Sequence, residues 1–296
     1  MNGIFIKAYA KVNLTLDVVS KRDDGYHNLD MIMQSIDLWD EIILREIHKG
    51  IEITGNMDGL PRDEGNIAYR AAKLVIEELG VSRGIHITIN KNIPKEAGLG
   101  GGSADCAAVI SGLNRLWDLG LDRDGLRALG KGLGADVPFC LIGGTALAQG
   151  IGDILTPLNL RDDMWLVIIK PDFGISTGKV YSRLDVGRIK KRPDNRAMMG
   201  YLNSGETVNI AANMVNVLEE VTIPGNPLLS VIKSELVSLG ALGSLMSGSG
   251  PSVYGIFRCE NDAGLAAKIL KEKYKEVYPL KTIDRGLEIS TIGSDL

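Results

Sequence analysis

Between positions 12 and 18, apolar Val12, Leu14, Leu16 and Val18 alternate with Asn13, Thr15 and Asp17. That is the period of a strand with one apolar and one wet face, and Lys11 shares the polar side. Runs at 4–9, 31–36, 41–47 and 85–89 read as further strands. A helix is expected from Asn66, with Ile67, Ala71, Leu74 and Val75 on one face and Gly80 as its left-handed stop. A second is expected from Ser103, repeating Ala107, Ile110, Leu113 and Leu116 or Trp117 at helical spacing, while small Ala104 and Ala108 permit close packing.

Residues 153–163 lack periodicity, and the apolar run 165–169 restarts the pattern, so a first domain over 1–155 and a second over 156–296 are expected. In the second, Asn226 and Pro227 open a helix that runs through Leu239 and stops at Gly240. Another helix places Ala263, Ala266, Ala267 and Leu270 on one face. Strand-like 252–257 and 287–291 alternate with these helices, which predicts an α+β domain whose sheet is covered on one side.

A chain of 296 residues, 45% hydrophobic and 24% charged, has ordinary globular composition and suits two domains or one large one. The net charge of −4 offers no broad positive field for nucleic acid. An anionic nucleotide is not excluded, because backbone N–H groups and one or two local cations suffice for a phosphate. Cys106, Cys140 and Cys259 form no C-x-x-C pair, and His27, His48 and His86 lack metal-site spacing, so three reduced thiols and no protein-held transition metal are expected. No secretory leader or membrane span is apparent, which predicts a cytoplasmic protein with no membrane partner.

Gly98-Leu99-Gly100-Gly101-Gly102-Ser103 is too rich in glycine for a good helix or strand, since each glycine costs about 0.5–1 kcal/mol relative to alanine there. It is either a flexible loop or a nest of N–H groups at a helix entrance, where a di- or triphosphate binds, and the helix that follows favours the nest. Read as G-x-G-x-x-G, the run is a weak dinucleotide signal, because several residues separate it from the strand ending near Ile89. Residues 125–132 have Walker A spacing but end in Gly132 rather than Ser or Thr. Asp172-Phe173-Gly174 imitates the protein-kinase magnesium triplet without a catalytic loop to accompany it. A second glycine cluster, Ser247-Gly248-Ser249-Gly250, is either an ordinary turn or a loop that closes over the phosphates. Asp136, beside small residues and Pro138, is a candidate to orient a hydroxyl and accept its proton, or else a turn or cap aspartate.

These segments, in this order, resemble the GHMP kinases, whose three motifs match Ala10-Lys11-Val12-Asn13-Leu14, residues 97–108 and residues 246–254. The resemblance implies an N-terminal domain like the second domain of ribosomal protein S5 and a ferredoxin-like C-terminal domain. It also implies ATP, with accompanying Mg2+, as phosphoryl donor to a small-molecule alcohol. Asp24-Gly25-Tyr26-His27 and Gly134-Ala135-Asp136-Val137-Pro138-Phe139-Cys140 narrow it to the branch acting on a cytidine diphosphate derivative of methylerythritol, in the non-mevalonate isoprenoid route.

Residue by residue, the resemblance makes Asp136 the base and Lys11 the cation beside the transferred phosphoryl group. Asn13 orients the diol, and Tyr26, His27 and Tyr181 surround the cytosine. Thr177 falls near the methylerythritol end, and Asn66 and Lys91 on the adenine side. Gly98 through Ser103, with Ala104 and Asp105, hold ATP, while Ser247, Gly248, Ser249 and Gly250 close on the phosphates. Ala104 departs from the serine often found there, and Lys95-Glu96 adds charge upstream, which leaves Ser103 as the hydroxyl available to magnesium and the metal ligands otherwise unassigned. A monomer or homodimer is expected.

Overall fold

The computed structural model describes residues 3–293. Its strands are β1 (Gly3–Lys21), β2 (His27–Ile47), β3 (Ile51–Gly55), β4 (Gly84–Asn90), β5 (Thr145–Gly150), β6 (Ile154–Leu158), β7 (Trp165–Lys170), β8 (Val215–Asn216), β9 (Gly243–Met246), β10 (Val253–Phe257), β11 (Glu276–Lys281) and β12 (Leu287–Ile292). Its helices are α1 (Ile67–Glu78), α2 (Gly101–Trp117), α3 (Arg123–Lys131), α4 (Val137–Ile142), α5 (Thr177–Arg183), α6 (Asn195–Ser204), α7 (Thr207–Ala212), α8 (Glu219–Thr222), α9 (Leu228–Ser238) and α10 (Glu260–Leu270).

The runs expected at 4–9 and 12–18 fuse into the 19 residues of β1, and those at 31–36 and 41–47 into the 21 residues of β2. Register shifts between Tyr9 and Lys11, Asn13 and Thr15, and Val18 and Ser20 reset the side-chain alternation, so each long strand reads as two short ones. The expected wet face of β1 is not wet: Lys11 is 5% exposed, and Asn13 and Thr15 are fully buried. The second half of the chain lies on that face. Tyr254 Oη donates to the Asn13 carbonyl at 2.8 Å, and Thr15 Oγ1 donates to Asn195 Oδ1 at 2.5 Å.

The larger sheet has the order β12-β1-β2-β4-β3, with β5 also paired to β2, β6 to β5, and β8 parallel to β1. The smaller sheet has the order β11-β7-β10-β9, all antiparallel. β6 runs across residues 155 and 156, and β12 returns from the far end of the chain to pair with β1. A Cβ at Gly255 would meet Ala241 and Leu236, so that face of β10 packs on α9, while Tyr254 points the other way to β1. The smaller sheet is therefore covered on both faces rather than one.

α2 lies across β1 and β2 so closely that a Cβ at Gly112 would sit 2.6 Å from Ile6 and 2.5 Å from Leu44. Ile110 and Leu113 are fully buried in this layer, each contributing about 1.5–3 kcal/mol by leaving water. That packing fixes the helix axis and therefore where its N-terminus points.

Candidate active site

α2 begins at Gly101, two residues before the expected start at Ser103. Gly100 sits at the N-cap with φ 75 and has no side chain with which to cap, so the first N–H groups of the helix have no helical acceptor. They open toward a cavity with the helix dipole behind them, an arrangement that attracts an anion. Glycine is favoured at position 100 for a second reason: a Cβ there would come within 3.0 Å of the Lys11 side chain and push on it.

Lys11 reaches this point from the middle of β1. Its backbone N–H donates to the Leu99 carbonyl at 2.9 Å, tying the strand to the glycine loop, and its Nζ donates to Asn13 Oδ1 at 2.9 Å. Lys11 Nζ also lies 3.4 Å from Asp136 Oδ2. Asp136 occupies the N-cap position of α4, where an aspartate usually bonds its own helix, yet it makes no capping hydrogen bond. Its carboxylate faces the lysine instead.

A tight turn that lines the same cavity joins β1 to β2. Asp24 Oδ1 accepts from the Tyr26 N–H at 3.1 Å, and Tyr26 is left 59% exposed, which rules out a packing role for its ring. His27 is nearly buried, 5.3 Å from the Tyr181 ring centroid with the planes 38° apart. Burial, with the positive charge of Lys21 adding to it, holds the His27 imidazolium below its usual pKa, which favours the neutral ring. Burial and then the charge of Asp136 raise the Tyr181 phenol, consistent with α5 standing over that carboxylate. Thr177, also on α5, shares a 2.8 Å hydrogen bond between its hydroxyl and that of Ser249.

Lys11, Asn13, Asn66, Asp136, Thr177 and Tyr181 all line one cavity of about 980 Å³. So do Gly98 through Ser103, Lys91, Asp105, Tyr26, His27, Gly248 and Ser249. Ala104 does not line it: its side chain is fully buried, and its N–H is spent on the Gly100 carbonyl at 2.9 Å. Ser247 and Gly250 also stand back, and Ser247 Oγ donates to the Gly98 carbonyl at 2.9 Å. The second glycine loop is thus fastened to the first rather than hanging free above it. Asn216 from β8 holds it from below, donating to the carbonyls of Met246 and Gly248 at 2.8 and 2.7 Å.

Two of the residues expected near adenine are already engaged. Asn66 caps α1, its Oδ1 accepting from Ala68 N–H at 3.0 Å and its Nδ2 donating to the Pro61 carbonyl at 2.9 Å. Lys91 Nζ donates to Asp40 and, at 2.7 Å, to Asp105 Oδ2. Asp40, Asn216 and Tyr254 escape sequence reasoning because every partner that gives them meaning is remote in the chain. Among the described residues, no cluster of three or more His, Cys, Asp or Glu side chains could hold a metal ion, and no helix is long and apolar enough to cross a membrane.

The chain matches the model of the GHMP kinases N terminal domain over residues 66–144 and that of the GHMP kinases C terminal domain over residues 198–276. A protein of Alkaliphilus oremlandii named 4-diphosphocytidyl-2-C-methyl-D-erythritol kinase is 46% identical over 98% of this chain and 100% of its own length. The chain belongs to this family of GHMP kinases. A kinase of the same name from Clostridium kluyveri is 47% identical over 95% of the chain and 100% of its own length. A crystal structure of 4-(cytidine 5'-diphospho)-2C-methyl-D-erythritol kinase superposes with a TM-score of 0.82 at 33% identity, covering 94% of this chain and 98% of that one. The expected α+β, two-domain GHMP kinase fold is thereby borne out. The GHMP match over 66–144 contains the α2 entrance and Asp136, and Lys11 lies outside it on β1.

Proposed function

We propose that this chain transfers the γ-phosphoryl group of ATP to the 2-hydroxyl of 4-diphosphocytidyl-2-C-methyl-D-erythritol, a step of the non-mevalonate route to isoprenoid precursors. The observation that carries the reading is the 3.4 Å approach of Lys11 Nζ to Asp136 Oδ2 beside the open N-terminus of α2. An anion cradle, a cation and a carboxylate meet where a phosphoryl group and a hydroxyl would have to meet.

In this reading Asp136 orients the 2-hydroxyl and takes its proton as the oxygen bonds to the γ-phosphorus. The bond from that phosphorus to the β,γ-bridging oxygen breaks, and ADP leaves with the electron pair. Lys11 lowers the energy of the charge that develops on the transferring oxygens. Its ammonium is buried and already oriented by Asn13 and Asp136, so little reorganisation is needed as that charge appears. Asn13 holds the diol, and Thr177 and Ser249 border the same end. The N–H groups at Gly101 to Ser103 bind the phosphates.

Magnesium fits this site as an ion carried in by the nucleotide, since it favours phosphate oxygens and water with only one or two protein ligands. The Ser103 hydroxyl on the first turn of α2 is the protein group that would hold it, and when bound it neutralises charge on the β- and γ-phosphates.

Tyr26, His27 and Tyr181 set the substrate class. A neutral imidazole offers one donor and one acceptor to a cytosine edge, and an exposed tyrosine face offers stacking. ATP consumption by the purified chain, measured with the cytidylated alcohol and separately with homoserine, mevalonate and galactose, tests the proposal. Turnover with the first alone, giving a new phosphomonoester by 31P NMR, is the expected result. Preference for any of the others refutes it.

A further inference from the structure

Asp40 is fully buried on β2 and takes hydrogen bonds from three donors that all belong to the segment leading into the glycine loop. Its Oδ1 accepts from the backbone N–H of Asn92 at 2.6 Å and of Ile93 at 2.8 Å, and its Oδ2 accepts from Lys91 Nζ. The same ammonium donates at 2.7 Å to Asp105 Oδ2, on the second turn of α2. The three side chains are 0%, 9% and 7% exposed. They tie the end of β4 to the start of α2, and the loop from Pro94 to Gly100 runs between the two anchored ends, held in its middle through the Ala97, Gly98 and Leu99 carbonyls. The contact is close: a Cβ at Gly101 would lie 2.9 Å from Ile93 and 3.3 Å from Lys91 Nζ.

We propose that Asp40 is a positioning residue for the nucleotide, acting through Lys91 and the 92–93 amides to fix the spacing and aim of the N–H groups between Gly98 and Ser103. The inference rests on the reading of that loop as the ATP phosphate site. It gives Lys91 a different task from contact with a base: the ammonium is a cross-link between two buried acid side chains under the cradle. A buried acid replaced by its amide keeps an oxygen for the two backbone amides but turns an NH2 toward the ammonium, which loses its acceptor and its counter-charge. Any resulting disorder falls on the loop between the anchors, since the cytidine end is built from other elements.

Asp40→Asn keeps the side-chain volume and removes the negative charge, and Ile42→Val, a fully buried position on the same strand, serves as a packing control. Affinity for a non-hydrolysable ATP analogue is measured by calorimetry, and KM is measured for ATP and for the cytidylated alcohol. About a tenfold or greater loss of nucleotide affinity is expected in Asp40→Asn, the scale of one charged hydrogen bond, with the KM of the alcohol within about twofold and Ile42→Val unaffected. Equal losses for both substrates, or nucleotide affinity within about twofold of the parent, overturn the proposal. If Asp40→Asn fails to fold, Lys91→Met combined with Asp105→Asn removes the tie to α2 while leaving Asp40 on its two amides. Unchanged analogue affinity in that double variant likewise overturns it. Analogue binding is read without turnover, so a failed substrate assignment and a failed clamp give different results.

Discussion

Ser247 Oγ donates to the Gly98 carbonyl at 2.9 Å, joining two glycine loops that lie 149 residues apart in the chain. The Ser252 N–H adds a second tie to the Ala97 carbonyl at 3.3 Å. The loop expected to close over the phosphates is thus the wall against which the phosphate loop is built. Gly98 sits at φ 74, and a Cβ there would lie 2.2 Å from the Ser247 carbonyl oxygen. Gly98→Ala should therefore lose at least about tenfold in ATP affinity and about 1–2 kcal/mol of stability from backbone conformation alone. Calorimetric titration with an ATP analogue and thermal denaturation check both. Wild-type values would mean that the two loops do not constrain each other.

His27 and Tyr181 face each other across 5.3 Å in the wall of the cavity that the glycine loop also lines. His27→Ala should raise KM for the cytidylated alcohol about tenfold, the loss of one or two base contacts, and leave KM for ATP unchanged. The folded imidazole is held below its usual pKa, so the unfolded chain takes up the proton first as pH falls. The stability His27 contributes is therefore present above about pH 6.5 and is lost on acidification through the folded value. Steady-state kinetics with each substrate varied in turn decide the placement, and an unchanged alcohol KM would remove His27 from the base site.

Much of this site was legible in the residues themselves. The glycine run, the helix after it and the Tyr26-His27 turn are local features, each visible within a dozen positions. What was not legible depended on distant coverage. Lys11, Asn13 and Thr15 read as the wet face of a strand because their alternation is that of a half-exposed sheet, whereas Asn195, far along the chain, covers Thr15, and Gly100 and Asp136 close on Lys11. Asp40 sits between two strand-like runs, and the donors that give it meaning come about fifty positions on. Serine is a good cap and points to a start at Ser103, whereas a left-handed Gly100 begins the helix without a side-chain cap.

Asp105 shares a single ammonium with Asp40, and its Oδ1 finds no partner among the described residues. Burial pushes its carboxyl up to about 8, Lys91 opposing the rise and Asp40 adding to it. Between about pH 4 and pH 8 the folded chain therefore holds a proton that the unfolded chain has released, and its stability falls as pH rises through that window. Asp105→Asn supplies a neutral amide in place of that protonated acid and should flatten the dependence. Melting temperatures of the two proteins at pH 5, 7 and 9 measure it: the variant should gain on the parent as pH rises, and parallel curves would contradict the assignment.

The pairing of Lys11 with Asp136 at 3.4 Å is the centre of the account, and exchanging one oxygen of Asp136 for nitrogen tests it most directly. Asp136→Asn should lower kcat with the cytidylated alcohol by about a hundredfold or more while ATP affinity stays within about twofold, because the base is lost and the phosphate cradle is not. Turnover close to that of the parent protein would contradict the assignment of the proton to Asp136.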